Sequence, residues 1–189
     1  MYWVKRWLIW IYRWRHCRGF GVQSPTDYSF IRYVINEHYP YYAYKDLAEK
    51  FPQLNHLLRK KAELLFRVAN YIQSSSALIL SEYDVYKYYI TSGCRKTSVG
   101  YEFNYGCQDD RNLIVVSVSF ISEDMLKEVV SHLQYGQILV IDDIDTRCGR
   151  RLWKDIINND RTTITFDLYY IGIVMNVVNR YKQDYVVNF

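Results

Sequence analysis

Two adjacent carboxylates are the side chains of this sequence with the clearest chemical potential. Asp142 and Asp143 come directly after the mostly apolar run 137–141, which predicts a short buried strand. Carboxylates at the carboxyl end of a parallel strand lie where open α/β sheets bind ligands, so this pair could orient a substrate. It could also hold Mg²⁺, although that ion requires further oxygen ligands. The competing interpretation is structural: one acid caps the next helix or pairs with an arginine that follows it, namely Arg147, Arg150 or Arg151.

Other catalytic signatures are absent from the sequence. It contains no nucleophile-elbow motif, phosphate-binding P-loop, zinc-protease motif or complete glycine-rich dinucleotide fingerprint. The histidines lie far apart, which favours surface or packing positions for His16, His38, His56 and His132. The cysteines form no CxxC pair, which predicts no metal site and favours reduced thiols at Cys17, Cys94, Cys107 and Cys148.

The positive charge is concentrated at one end of the chain. The net charge is +4, and five basic residues precede the first acid, Asp27. The rest of the chain is close to neutral, which argues against a broad nucleic-acid-binding face. No stretch approaches the roughly 18 apolar residues of a membrane span, and the first residues lack a signal-peptide pattern. We therefore expect a cytoplasmic protein.

The N-terminal segment 2–15 has the pattern of an amphipathic helix. Its four tryptophans recur at intervals that place them on one helical face: Trp3, Trp7, Trp10 and Trp14. The basic residues lie mostly on the opposite face. Three alternatives remain for what the tryptophan face contacts: protein (the rest of this chain or a second copy of it), an anionic membrane surface, or nucleic acid. We favour protein contact, and keep both a homo-oligomer through this helix and a peripheral membrane contact as expectations.

The remaining pattern indicates a single domain over 1–189. In this interpretation 1–72 is a helical extension and 77–189 is an α/β core. Ser24 is expected to cap a helix that ends near residue 38, because Pro25 and Asp27 follow it at favourable positions. The stretch 39–44 is expected to break the helical pattern.

The core alternates helical segments with short apolar runs. The runs at 77–80, 113–118 and 138–141 predict adjacent parallel strands joined by crossover helices, with 77–80 at the centre of the sheet. Two later strands close together in sequence predict an antiparallel hairpin at the end of the sheet, formed by 162–168 and 171–177.

Several motifs in combination resemble a family of short bacterial class I S-adenosylmethionine (SAM) methyltransferases. They are GFGVQSP at 19–25, PYYAY at 40–44, VIDDI at 140–144 with Trp153 downstream, and TITFDLY at 163–169 followed by Gly172. The resemblance covers roughly 1–80 and 112–189. It implies a Rossmann-like class I methyltransferase sheet and methyl transfer from SAM to a small-molecule acceptor. Asp142 and Asp143 would then orient the acceptor, as the catalytic residues.

The middle of the chain departs from this family. The family's first strand ends in an acid and a glycine-rich turn, which lets the backbone approach SAM. Here 81–86 reads Ser-Glu-Tyr-Asp-Val-Tyr, and no glycine appears until Gly93. Glu82 and Glu102 remain as candidate cofactor-binding residues, the latter as a remnant of the family's ribose-binding acid. Only about thirty residues separate Leu80 from the next strand, which predicts that the sheet is shortened by one strand–helix unit.

The metal-dependent relatives of this family raise a further difference. They use an Asp-Gly pair after the strand that corresponds to 113–119, where this sequence carries Ser117 and Ser119.

The sequence as a whole leaves two hypotheses about function. The first is a SAM-dependent methyltransferase that is degenerate, with SAM binding weak or lost. The second is a non-catalytic interaction protein that uses its tryptophan-rich helix.

Overall fold

The fold is built around a seven-stranded mixed sheet, seen here in a computed structural model that describes residues 2–14, 21–103 and 112–189. The strands are β1 (Ser76–Leu80), β2 (Ser98–Gly100), β3 (Leu113–Ser117), β4 (Ile138–Asp142), β5 (Ile164–Asp167), β6 (Ile171–Met175) and β7 (Gln183–Val186). Their order across the sheet is β2-β1-β3-β4-β6-β5-β7. β6 is antiparallel to β4 and β5, and the other neighbours are parallel. All strands except β6 therefore end at the same side of the sheet, which we call the carboxyl edge.

Helices cover both faces of this sheet. They are α1 (Tyr2–Tyr12), α2 (Pro25–Phe30), α3 (Tyr42–Lys50), α4 (His56–Ile72), α5 (Val85–Gly93), α6 (Glu123–Ser131) and α7 (Arg147–Ile157). A π-helical turn, Ile31–Ile35, continues α2. No described helix is long and apolar enough to span a membrane.

The core has two layers because successive strand residues face opposite sides of the sheet. In β1, Ala77 and Ile79 pack with the helices α2 to α5, whereas Leu78 and Leu80 pack with α6 and α7. The first layer contains residues from the helices before β1, so the predicted helical extension packs directly on the sheet. A buried arginine helps to hold it there: Arg67 of α4 donates from Nε to the Val34 carbonyl at 2.6 Å and from Nη2 to the Ile35 carbonyl at 3.2 Å.

The predicted fold class is confirmed, and the local details agree in part. β1, β3 and β4 are adjacent and parallel as expected, and the Ser24 side chain accepts a hydrogen bond from the Asp27 amide as an N-cap. The break expected at 39–44 is wrong in part, because α3 begins at Tyr42. This helix has no side-chain cap at its start, so the sequence carries no start signal for it.

Two expectations about the sheet are wrong. β1 is not central: it lies next to the edge strand β2, and β4 is the middle strand. The described residues between β1 and β3 form only α5 and β2, so a single strand lies outside β1 on that side of the sheet. The β5–β6 hairpin is antiparallel as predicted, but β7 pairs with β5 and takes the edge position instead.

Candidate functional site at the carboxyl edge

A lysine brings the two predicted acids into one network. Asp142 is the last residue of β4, and Asp143 follows it with a left-handed φ of 61°. Lys61, from α4, places its ammonium against Asp142 Oδ1 and 2.9 Å from Asp143 Oδ1. We call this network the Lys61 cluster; it consists of Lys61, Tyr86, Ser117, Ser119, Asp142 and Asp143.

Asp142 is completely enclosed by its neighbours. Its exposed fraction is 0%. Its Oδ2 accepts the hydroxyl hydrogen of Tyr86, and its Oδ1 accepts the backbone amide of Asp143 at 2.8 Å. A carboxylate held in this way cannot touch a dissolved substrate without a rearrangement of the cluster.

Asp143 is more accessible, and serines hold it in place. Its Oδ2 accepts hydrogen bonds from Ser117 at 3.0 Å and from Ser119 at 2.9 Å, and 16% of its side chain is exposed. The residues at which the sequence departs from the metal-dependent pattern are therefore the donors that fix this carboxylate.

The pKa shifts follow from burial and from this pairing. Burial raises the pKa of Asp142, against the opposing effect of Lys61. Burial alone would raise the pKa of Asp143, but Lys61 and the two serine hydroxyls outweigh it and the pKa is lowered. Burial alone would lower the pKa of Lys61, but the two carboxylates outweigh it, and the pKa is raised above the ordinary value of 10.5. The ammonium therefore stays charged at neutral pH and neutralises the acidic pair.

Sequence reasoning named the acids but missed the lysine. The arginines that it considered as partners lie elsewhere: Arg150 pairs with Asp167 at 2.7 Å, and Arg151 pairs with Glu123. The helix cap is Thr146, whose hydroxyl accepts from the Gly149 amide at 3.0 Å. A signal for Lys61 existed, since it follows Leu58 by three residues and precedes Leu65 by four, which places a charge on the apolar face of α4.

The cofactor region of the fold carries bulky side chains. After β1 ends at Leu80, the turn 81–84 leads into α5 without a glycine. Tyr86 is fully buried, and the Tyr83 and Tyr86 rings meet edge to face at 5.5 Å. These rings follow β1, where the resemblance implies a glycine-rich turn.

The two predicted cofactor-binding acids lie at the same edge of the sheet. Glu82 is exposed in the turn that follows β1. Glu102 is also exposed, two residues beyond the end of β2 at Gly100. These positions follow the neighbouring strands β1 and β2. Within 2–14, 21–103 and 112–189 no group of three or more His, Cys, Asp or Glu side chains could hold a metal ion.

The N-terminal helix docks by its polar side. Arg13 lies just after α1, and its guanidinium donates to Asp167 Oδ1 from both terminal nitrogens at 3.0 Å. Lys5 pairs with Asp145 at 3.0 Å. Two of the tryptophans remain more than half exposed: Trp7 at 62% and Trp10 at 55%. The body of the protein therefore leaves most of these two uncovered, although Trp10 also borders a cavity between α1 and the body. The Trp3 side chain is outside the described part.

No known protein family matches this chain, and no curated protein sequence does either. Among solved structures it is similar to the S-adenosylhomocysteine (SAH)-bound methyltransferase PaMTH1 of Podospora anserina. The TM-score is 0.51 at 11% identity, over 82% of this chain and 96% of that one. It is also similar to the SAM-bound O-methyltransferase TomG of Streptomyces achromogenes, which is involved in tomaymycin synthesis. That TM-score is 0.47 at 8% identity, over 74% of this chain and 91% of TomG. At 11% identity the similarity to PaMTH1 shows the fold alone, which is a class I methyltransferase fold.

Proposed function

We propose that this chain is a degenerate methyltransferase-fold protein that binds SAM weakly or not at all. One observation carries the proposal: the Lys61 ammonium is held between the two acids that the resemblance assigns to the acceptor. The cluster then stabilises the fold, because a buried carboxylate pair without a cation would be strongly unfavourable.

The tyrosines next to the cluster support the same conclusion for the cofactor. Methyl transfer depends mainly on the positioning of donor and acceptor, so a cofactor turn filled by Tyr83 and Tyr86 removes the principal source of catalysis. Any residual transfer to a small acceptor would use Asp143 rather than Asp142, since only the former has an exposed fraction above zero.

Thermal melting tests the loss of the cofactor. A ligand that binds the folded state raises its stability with concentration, by about 2.7 kcal/mol at a hundredfold excess over Kd. We expect 1 mM SAM or SAH to leave the melting temperature unchanged. A clear rise with SAH, and none with adenosine, would contradict the proposal.

The exposed face of α1 favours a second candidate function, that of an interaction protein. We propose that a second copy of the chain covers the stripe formed by Trp7, Leu8, Trp10 and Ile11, each of which is at least 41% exposed. Ion pairs with the body occupy Lys5 and Arg13, which leaves those two cations unavailable for anionic lipid. This observation favours a protein partner over a membrane surface.

Sedimentation equilibrium across a concentration series tests this contact. We expect concentration-dependent self-association that Trp7→Ser weakens. Tyr42→Ser is the matched control, since Tyr42 is 100% exposed on α3 and lies outside α1. A monomer at all concentrations that binds anionic vesicles through Trp7 would support the membrane alternative instead.

A further inference from the structure

A cavity of 520 Å³ lies between α1, the end of the π-helical turn, the β5–β6 turn and the last residues of the chain. We call it the α1 cavity. Its volume is in the range of small-molecule sites. No residue of the Lys61 cluster lines it, so it is a separate feature from the candidate site described above.

The walls of the α1 cavity are aromatic. Trp10, Tyr169, Tyr170 and Phe189 line it. Tyr169 has a left-handed φ of 77°, a conformation that costs a non-glycine residue free energy and persists only where its surroundings enforce it. Arg13 and Arg150 lie over the Tyr169 ring at 5.3 Å and 4.7 Å from its centroid, and they hold the ring in this position.

The polar part of the lining favours an anion. It includes His38, Lys60 and Arg13, of which Arg13 is already paired with Asp167, and no Asp or Glu among the described residues that line the cavity. Lys60 Nζ lies 4.1 Å from the centroid of the Phe189 ring, at the same wall. An entering anion would therefore meet positive charge over an aromatic surface.

An unmatched donor marks where a ligand acceptor would bind. The side-chain amide nitrogen of Asn36 is buried, and within the described residues it has no hydrogen-bond partner. A buried donor without an acceptor is unfavourable, and a ligand oxygen would satisfy it once the Asn36 side chain turns toward the cavity. Asn36 lines the α1 cavity.

We infer that the α1 cavity binds a small aromatic carboxylate, with its ring between the aromatic walls; the Asn36 side chain then turns so that Nδ2 donates to a carboxylate oxygen. The ligand would contact both α1 and the β5–β6 turn, so binding also holds α1 against the body. This inference does not rest on the state of the cofactor region.

Calorimetric titration with 2-naphthoate tests the inference on the intact chain. We expect saturable binding with a Kd on the order of 10–100 μM. The neutral analogue 2-naphthalenemethanol should bind at least tenfold more weakly, because it lacks the charge. Cyclohexanecarboxylate should also bind at least tenfold more weakly, because it lacks the aromatic ring.

Two variants locate the site. Asn36→Asp removes the amide donor and adds a negative charge, so it should abolish binding, whereas Asn70→Asp on the exposed side of α4 should not. Lys60→Met should weaken binding about tenfold, and Lys45→Met on α3 should leave it unchanged. Melting temperatures close to the wild-type value confirm that the variants fold. The inference is overturned if 2-naphthoate does not bind at 1 mM, if the neutral analogue binds equally well, or if Asn36→Asp binds like the wild type.

Discussion

Lys61 lies on the apolar side of α4 and carries a charge that Asp142 and Asp143 neutralise. Its raised pKa means that its contribution to stability is present below pH 10.5 and is lost as the pH rises through the folded value. The pKa of Asp143 is lowered, so its effect appears at acid pH. Its contribution to stability is present above pH 3.8 and is lost as the pH falls through the pKa of the folded state. The raised pKa of Asp142 opposes the cluster, since it disfavours the ionised form in the fold.

Replacing Lys61 by methionine should destabilise the protein strongly at neutral pH. The variant leaves two adjacent carboxylates without their cation, and breaking a buried pair in this way costs about 3–5 kcal/mol. The loss should shrink at pH 5, because the carboxylates of the variant take up protons more readily in the folded than in the unfolded state. Urea unfolding at pH 7.5 and pH 5 measures both effects. Lys45→Met is the exposed control, and an equal loss at the two pH values would refute the explanation.

The Tyr86 hydroxyl should matter for stability independently of its ring. Tyr86→Phe keeps the ring but leaves the buried Asp142 Oδ2 without that donor, at a cost of about 1–3 kcal/mol. Tyr89→Phe is a matched control on the same helix: Tyr89 is equally buried, and the structure shows no hydrogen bond from its hydroxyl within the described residues. Denaturant unfolding compares the two. Similar losses for both variants would show that the hydroxyl of Tyr86 is not special.

Single residues of the site were only partly predictable from the sequence. Asp142 and Asp143 stood out because they follow an apolar run. Lys61 did not, because a lysine within a helical repeat normally extends to solvent. Ser117 and Ser119 were noted only as departures from a family pattern, and their role as donors depends on how β3 pairs with β4.

Among the elements, α1 depends on two unequal ion pairs. The Arg13 side chain is 10% exposed and contacts Asp167 through both terminal nitrogens, whereas the Lys5 side chain is 50% exposed. The nearby arginines hold the pKa of Asp167 below its ordinary value in spite of burial, so this carboxylate remains ionised and available for pairing at neutral pH.

Replacing Arg13 by methionine should loosen α1 without unfolding the sheet. We expect faster amide hydrogen exchange over 2–12, while the strands keep their protection. Lys5→Met should have a much smaller effect, because exposed pairs contribute little. Hydrogen–deuterium exchange read by mass spectrometry resolves the two segments. Unchanged exchange in α1 of the Arg13 variant would show that other contacts hold the helix.

The strongly patterned elements were predictable, and those without local signals were not. The apolar runs gave β1, β3 and β4, and Ser24 gave the start of α2. α3 was missed because it lacks a capping side chain. The amphipathic pattern of α1 indicated a helix but not its docking, since the body holds its charged side and leaves Trp7 exposed.

At the scale of the whole molecule, the sheet order depends on pairings that a sequence pattern does not encode. The short segment between β1 and β3 predicted a sheet shortened by one strand–helix unit, and the described sheet has seven strands. β1 lies next to the edge because only β2 lies outside it, whereas β6, β5 and β7 extend the sheet on the other side of β4. The class I methyltransferase fold is present, and the Tyr83 and Tyr86 rings pack against each other after β1.

The most direct test of this account is a calorimetric titration of the wild-type chain with SAM and with SAH. The account predicts no saturable heat for either compound up to about 1 mM, which corresponds to binding weaker than roughly −4 kcal/mol. Saturable binding of SAH with a Kd at or below about 1 μM, near −8 kcal/mol, would contradict it. In that case the tyrosines after β1 would have to move aside for the cofactor, and the chain would be a working methyltransferase.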